Sequence, residues 1–334
     1  MRGQQTWNDQ KDAKLQNIVA AKLFTQPFDH FEHSFINQVA FFSLIRGNLI
    51  LKVCCFDAKL KTLFSICFNM DKVINLGIPH VGELIFESID TPGLIQCVLV
   101  SETWKVLAEN VLIKRWKGKM FEACKKGETE IVQLLLERCD AEESGLNTKG
   151  DYGRNVFMEA CYYGHKDVVK LFLEHSERID LNARDNCERT AFMIACQYGR
   201  KDVVKLFLEH SEKIDLNARD KFGETAFMIA CISGHKDVLK LLLKHSERID
   251  LNARDNFEST AFMEACFHGL KDVVKLLLEH SERIDLNARD NCERTAFMSA
   301  CQYGRKDFIK LFLEHSEKID LNARDKFGET AFMI

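Results

Sequence analysis

The chain has 334 residues, enough for about two domains. Its composition, 46% hydrophobic and 29% charged, supports a buried core and excludes a disordered tail. The formal net charge of -4, from 46 basic and 50 acidic residues, offers no bulk attraction to nucleic acid or an anionic membrane.

Residues 1–69 carry no motif, repeat or clear period. Met1 to Lys14 is polar and charged, so no signal peptide is visible. The most apolar stretch, Val39 to Phe56, is interrupted by Arg46, Asn48 and Lys52, which a membrane span would have to bury. The thirteen cysteines are therefore expected to be reduced thiols of a soluble protein, cytoplasmic and also nuclear. Met70 stands shortly before the first recognisable segment, which predicts that translation begins there and that 1–69 is an over-extended gene model.

Residues 70–115 read as a small helical module. Ile78-Pro79 opens it, followed by Leu84, Ile85 and Ile89, the last two at helical spacing. A turn is expected at Thr91 to Gly93, then Leu94, Cys97, Val98 and a stripe of Val100, Trp104 and Leu107. This pattern resembles the F-box: a Leu-Pro start, an amphipathic helix, a Leu-Asp turn and a Val-Ser-x-x-Trp segment, over roughly 38 residues. Two departures stand out. Gly82 lies inside the first helix, at about 1 kcal/mol relative to Ala, and the Pro79-to-Ile89 spacing is about one residue short. The resemblance implies docking to a Skp-family adaptor of a cullin–RING ubiquitin ligase through Ile78, Pro79, Leu84, Ile85, Leu94, Val98, Val100 and Trp104. The alternative is a helical cap for the structure that follows. The basic run Lys114 to Lys119 reads as a solvated helix joint between the two.

From residue 116 to the end the chain is repetitive. Leu181-Asn182-Ala183-Arg184-Asp185 recurs at Leu216, Leu251, Leu286 and Leu321, each 35 residues on. Thr190-Ala191-Phe192-Met193 recurs at Thr225, Thr260, Thr295 and Thr330, with a diverged copy at Asn155 and a fainter unit around Ala123-Cys124. This gives one degenerate copy, five full ones and one truncated. Within a unit, Thr190 is a helix cap. Phe192, Ala195, Cys196 and Gly199 form one stripe, and Gly199 suits a left-handed helix end. A second helix begins near Lys201 and buries Val203, Val204, Phe207 and Leu208. No unit covers its apolar face alone, so the units must stack. The Pro-free tract after Pro92 permits helix throughout.

The repeat resembles the ankyrin repeat over about 215 residues. Thr225-Ala226-Phe227-Met228, Ala230-Cys231, Gly234-His235 and Val238 to Leu243 follow the family pattern position by position. Ala and Met replace the family's Pro and His at the helix start, which predicts apolar packing in place of a Thr–His hydrogen bond. The fold class implied is all-α: an ankyrin solenoid of helix–turn–helix units behind the F-box-like module.

Copies within the chain differ on one helix face. Glu159, Tyr162 and Tyr163 in one unit become Ile194, Gln197 and Tyr198, then Ile229, Ile232 and Ser233. They next become Glu264, Phe267 and His268, and finally Ser299, Gln302 and Tyr303. The loop tips vary too, from Asn186-Cys187-Glu188-Arg189 to Lys221-Phe222-Gly223-Glu224. By resemblance these positions line a concave binding surface; the plainer reading is drift on a solvent face. Cys161, Cys196, Cys231, Cys266 and Cys301 sit about 8–10 Å apart at neighbouring-helix spacing, which suits core packing and not a disulfide ladder. His175, His210, His245, His280 and His315 read as ordinary residues at helix C-termini.

No catalytic, metal or cofactor pattern occurs. The lead expectation is a non-enzymatic substrate-recognition subunit of an SCF-type ubiquitin ligase, monomeric on its own, needing no cofactor, nucleic acid or membrane. An ankyrin scaffold without a ligase role is the alternative. Residues 183–217 and 288–322 differ at only three positions, and Ala218 to Ile229 reappears as Ala323 to Ile334. A block of repeats has duplicated, which predicts that the natural chain continues.

Overall fold

A computed structural model describes residues 86–100 and 102–334. Among these, regular structure is helical, with one isolated antiparallel bridge between Arg324 and Thr330. The chain divides into two compact bodies at Leu112/Ile113.

In the N-terminal body, α1 (Thr91–Val98) starts where a turn was expected. Asp90 caps it, accepting the Gly93 N–H at 2.9 Å. Pro92 falls in the first turn, where a missing N–H costs no helical bond. The chain turns at Leu99 and Val100, and α2 (Glu102–Trp116) follows. Leu94 and Trp104, expected on an adaptor-facing surface, are instead buried, with Trp104 edge-on to Phe86 at 5.5 Å. Large apolar side chains of this kind favour burial over exposure. Val98 and Val100 are half-buried. Ile78, Pro79, Leu84 and Ile85 lie outside the described residues.

The second body is six helix pairs, numbered here as units 1 to 6. Unit 1 is α3 (Met120–Lys126) and α4 (Thr129–Arg138). A short α5 (Ala141–Ser144) and a 3-10 turn (Asp151–Gly153) lead to unit 2, α6 (Val156–Tyr163) and α7 (Lys166–Glu174). Unit 3 is α8 (Ala191–Gln197) and α9 (Lys201–Glu209), and unit 4 is α10 (Ala226–Ile232) and α11 (Lys236–Lys244). Unit 5 is α12 (Ala261–Phe267) and α13 (Lys271–Leu278); unit 6 is α14 (Ala296–Gln302) and α15 (Lys306–Glu314). Each first helix packs on the first helices beside it, and each second helix on its own counterparts.

Sequence explains each pair. Thr190, Thr225, Thr260 and Thr295 accept the N–H of the methionine three residues on, at 3.4 Å; Asn155 does the same for Met158 at 2.9 Å. The first helix of unit 3 is closed by Gly199 at φ 65°, a conformation an L side chain rarely adopts. In the second helix Val203, Val204, Leu206, Phe207 and Leu208 are buried while Lys201, Asp202, Lys205 and Glu209 face water. Phe207 meets Phe192 of its own unit at 5.8 Å and Phe157 of the preceding unit at 5.7 Å, both edge-on. Burying one such ring contributes about 2–3 kcal/mol.

The recurring Leu-Asn-Ala-Arg-Asp string is the joint between units. Its Leu is buried in units 3 to 6, as in Leu216. Asn217 donates to the Arg248 carbonyl and accepts the Asp250 N–H, both at 2.9 Å. Asn182, Asn252 and Asn287 make the same double clamp to the next copy. The arginine adds a longer reach: Arg184 donates to the Arg219 carbonyl, Arg219 to that of Arg254, Arg254 to that of Arg289 and Arg289 to that of Arg324.

Candidate protein-recognition surface

The variable positions divide by depth. The residue nearest each helix start is covered, because each first helix is flanked by others. Ile194 is fully buried, Ile229 nearly so, and Glu159 is buried beside Arg154; Glu264 and Ser299 are half-buried. Ile194 and Ile229, expected at the binding face, therefore belong to the core. The last turn of each first helix emerges from the stack: Tyr162, Tyr163, Gln197, Ile232 and Ser233 are half-buried, and Tyr198, Phe267, His268, Gln302 and Tyr303 are exposed.

Those outer residues gather into two aromatic clusters. At one end Tyr162 lies 4.4 Å from Tyr198 and 4.9 Å from Tyr163, ring centre to ring centre. The Arg154 guanidinium sits 4.4 Å above Tyr162 and 3.9 Å from the Glu159 carboxylate. At the other end Phe267 is 5.2 Å from both His268 and Tyr303, and His268 Nε2 is 3.6 Å from Glu264. Ile232 and Ser233 stand in the intervening unit. The loop tips add exposed Phe222 and Phe257.

Charge follows the repeat. In unit 3, Arg189 pairs through Nε and Nη2 with Asp185 Oδ2 at 3.0 and 2.7 Å, and through Nη1 with Gln197 at 2.7 Å. Unit 6 repeats this with Arg294, Asp290 and Gln302. Units 4 and 5 do not, having Glu224 and Ser259 where the arginine would stand. Burial, then the charges of Asp220, Glu264 and Asp255, raise the Glu224 carboxyl to about 7. Burial and Asp255 also raise Glu264 above the ordinary carboxylate value. The middle of the face is acidic and its flanks carry paired arginines.

Two features escaped the sequence reading. In four units the residue after the helix-ending glycine bonds back to the preceding unit: His165 to the Lys125 carbonyl at 3.0 Å, Arg200 to that of Tyr162 at 2.8 Å, His235 to that of Gln197 at 2.9 Å and Arg305 to that of Phe267 at 3.2 Å. Glu188, Glu258 and Glu293 have φ near +60°, where three sister copies have Gly153, Gly223 and Gly328. Those glycines were the available signal.

Among the described residues no helix is long and apolar enough to cross a membrane. No group of three or more His, Cys, Asp or Glu there is placed to hold a metal ion.

Stacked helical hairpins with a constant joint and a varied edge define a repeat protein built for protein–protein interaction. The family comparisons agree: a model described as "Ankyrin repeats (3 copies)" matches residues 120–220 and 210–290, and one described as "Ankyrin repeats (many copies)" matches 277–334. The chain belongs to the ankyrin-repeat family. Among solved structures, it is similar to the ankyrin repeat domain of Bcl-3, described as a unique member of the IkappaB protein family. That similarity has a TM-score of 0.57 at 21% identity, over 64% of this chain and 92% of the other, and is a likeness of fold. No curated protein matches the chain.

Proposed function

We propose that the chain is a non-catalytic substrate-recognition subunit of a cullin–RING ubiquitin ligase. Its repeats hold a protein substrate along the edge formed by Tyr162, Tyr163, Gln197, Tyr198, Ile232, Ser233, Phe267, His268, Gln302 and Tyr303. Its N-terminal helices engage a Skp-family adaptor. The observation that carries the recognition half is the pair of aromatic clusters, because exposed Tyr and Phe beside charged groups are the residue types that anchor interfaces. The ligase half rests on the F-box-like sequence and is supported by the two short helices α1 and α2 that fall on it. Such a protein contributes proximity, bringing a substrate lysine to a charged conjugating enzyme.

Co-purification of the full chain with a Skp-family adaptor tests the ligase half. Adaptor is expected with the wild type and absent after Pro79→Ala with Leu84→Ala. Failure to recover adaptor with the wild type, or equal recovery with the double variant, reduces the protein to an interaction scaffold.

A further inference from the structure

The sister repeats reveal a vacant place on the recognition edge. In unit 3 and unit 6 an aspartate holds its own unit's arginine: Asp185 with Arg189, Asp290 with Arg294. In unit 2 the equivalent arginine, Arg154, leans on a glutamate and an aromatic ring, Glu159 at 3.9 Å and Tyr162 at 4.4 Å. Unit 5 combines all three kinds of partner. Asp255 stands where Asp185 does, Glu264 where Glu159 does and Phe267 where Tyr162 does, each offset by whole repeats of 35.

Only the arginine is missing. Ser259 takes its position, donating its N–H to Asp255 Oδ1 at 2.8 Å, and its hydroxyl bonds Glu264. The His268 imidazole lies 3.6 Å from Glu264; among the described residues no lysine or arginine forms an ion pair with Asp255 or Glu264. Asp220 and Glu224 of the adjoining unit add two more carboxylates in electrostatic reach of the same region. Phe267 is 45% exposed, so its ring is open to a ligand.

We infer that unit 5 receives an arginine side chain from the bound protein, its guanidinium pairing with Asp255 and Glu264 and lying against Phe267. A planar fork suits this set better than an ammonium, since it can bond a carboxylate through two N–H groups while stacking on a ring. This deepens the recognition reading of the edge and rests on it.

Panning a displayed library of random peptides on the full chain provides the test. Arginine is expected to be enriched in the selected peptides relative to the input library. Their affinity should fall about tenfold or more with Glu264→Gln and with Ser259→Arg, which fills the place in cis. Thermal melts check that the variants fold, and Glu264→Gln stands independently of Ser259→Arg. Selected peptides with no arginine excess, or with undiminished affinity for both variants, overturn the inference. If those peptides still weaken on Tyr198→Ala or Tyr303→Ala, the wider reading of the edge stands and only the guanidinium assignment falls. If no substitution on the edge matters, both fall.

Discussion

Met193 Sδ accepts the backbone N–H of Thr190 at 3.4 Å, while Thr190 Oγ1 accepts the backbone N–H of Met193 at the same distance. Thr225 and Met228 repeat the exchange. The methionine that replaces the family's histidine was expected to contribute only apolar packing. It closes a reciprocal cap with sulfur as the acceptor, a weak but well-placed one.

This makes the threonine the stronger member of the pair. Thr225→Ala should cost about 1 kcal/mol in chemical denaturation, by freeing the Met228 N–H at a buried helix start. Met228→Leu, which keeps the packing and loses the sulfur, should cost less than that. A larger loss for the methionine variant contradicts the assignment.

Phe207 touches rings in two consecutive units, so its truncation acts across a boundary. Phe207→Ala should destabilise by about 3–5 kcal/mol. In a nearest-neighbour array the loss should appear in hydrogen exchange first in α7 and α9, and more weakly in α13.

The asparagine clamp gives a surface counterpart. Asn217→Ala removes two intermolecular-style bonds between units without opening a cavity, and should cost about 1–2 kcal/mol. Asn217→Asp keeps the acceptor and loses the donor to the Arg248 carbonyl, so it should fall between wild type and alanine.

Glu224 carries a pH signature. Its folded-state carboxyl, raised to about 7, binds its proton more tightly than the unfolded chain does. Its contribution to stability is therefore full below about pH 4.5 and is lost as pH rises toward 7. Glu224→Gln removes that loss, so the variant's melting temperature should gain on the wild type's between pH 5 and pH 8. A difference that is flat or of opposite sign contradicts the burial that raises this group.

Thiol reactivity separates the cysteines. Cys196, Cys231 and Cys266 are buried, which pushes their thiols well up and leaves little thiolate. Among the described cysteines, alkylation of native protein followed by mass spectrometry should modify the half-exposed loop-tip residues Cys187 and Cys292 first. The three core thiols should react only after unfolding.

Periodicity made the repeats legible. The 35-residue step and the fixed stripe of Phe192, Ala195 and Cys196 located both helices, and the buried residues of α9 include all four that were expected. The varied stripe was read with less depth. Helical spacing puts Ile194, Gln197 and Tyr198 on one face, yet spacing along one helix says nothing of the flanking helices that submerge Ile194. The arginine pairings were harder still. Arg189 and Asp185 lie four apart in a loop tip, where no helical or strand period predicts which side chains meet. At the N-terminal body, a turn was expected at Thr91 to Gly93, although a proline in the first turn serves a helix start.

The asparagine and arginine clamps use the same atoms at every boundary from unit 3 onward. Any copy can therefore follow any other. Such a coupling lets the array lengthen or shorten by exchanging whole units while the lateral edge diverges freely, so that its reach and its selectivity can evolve separately.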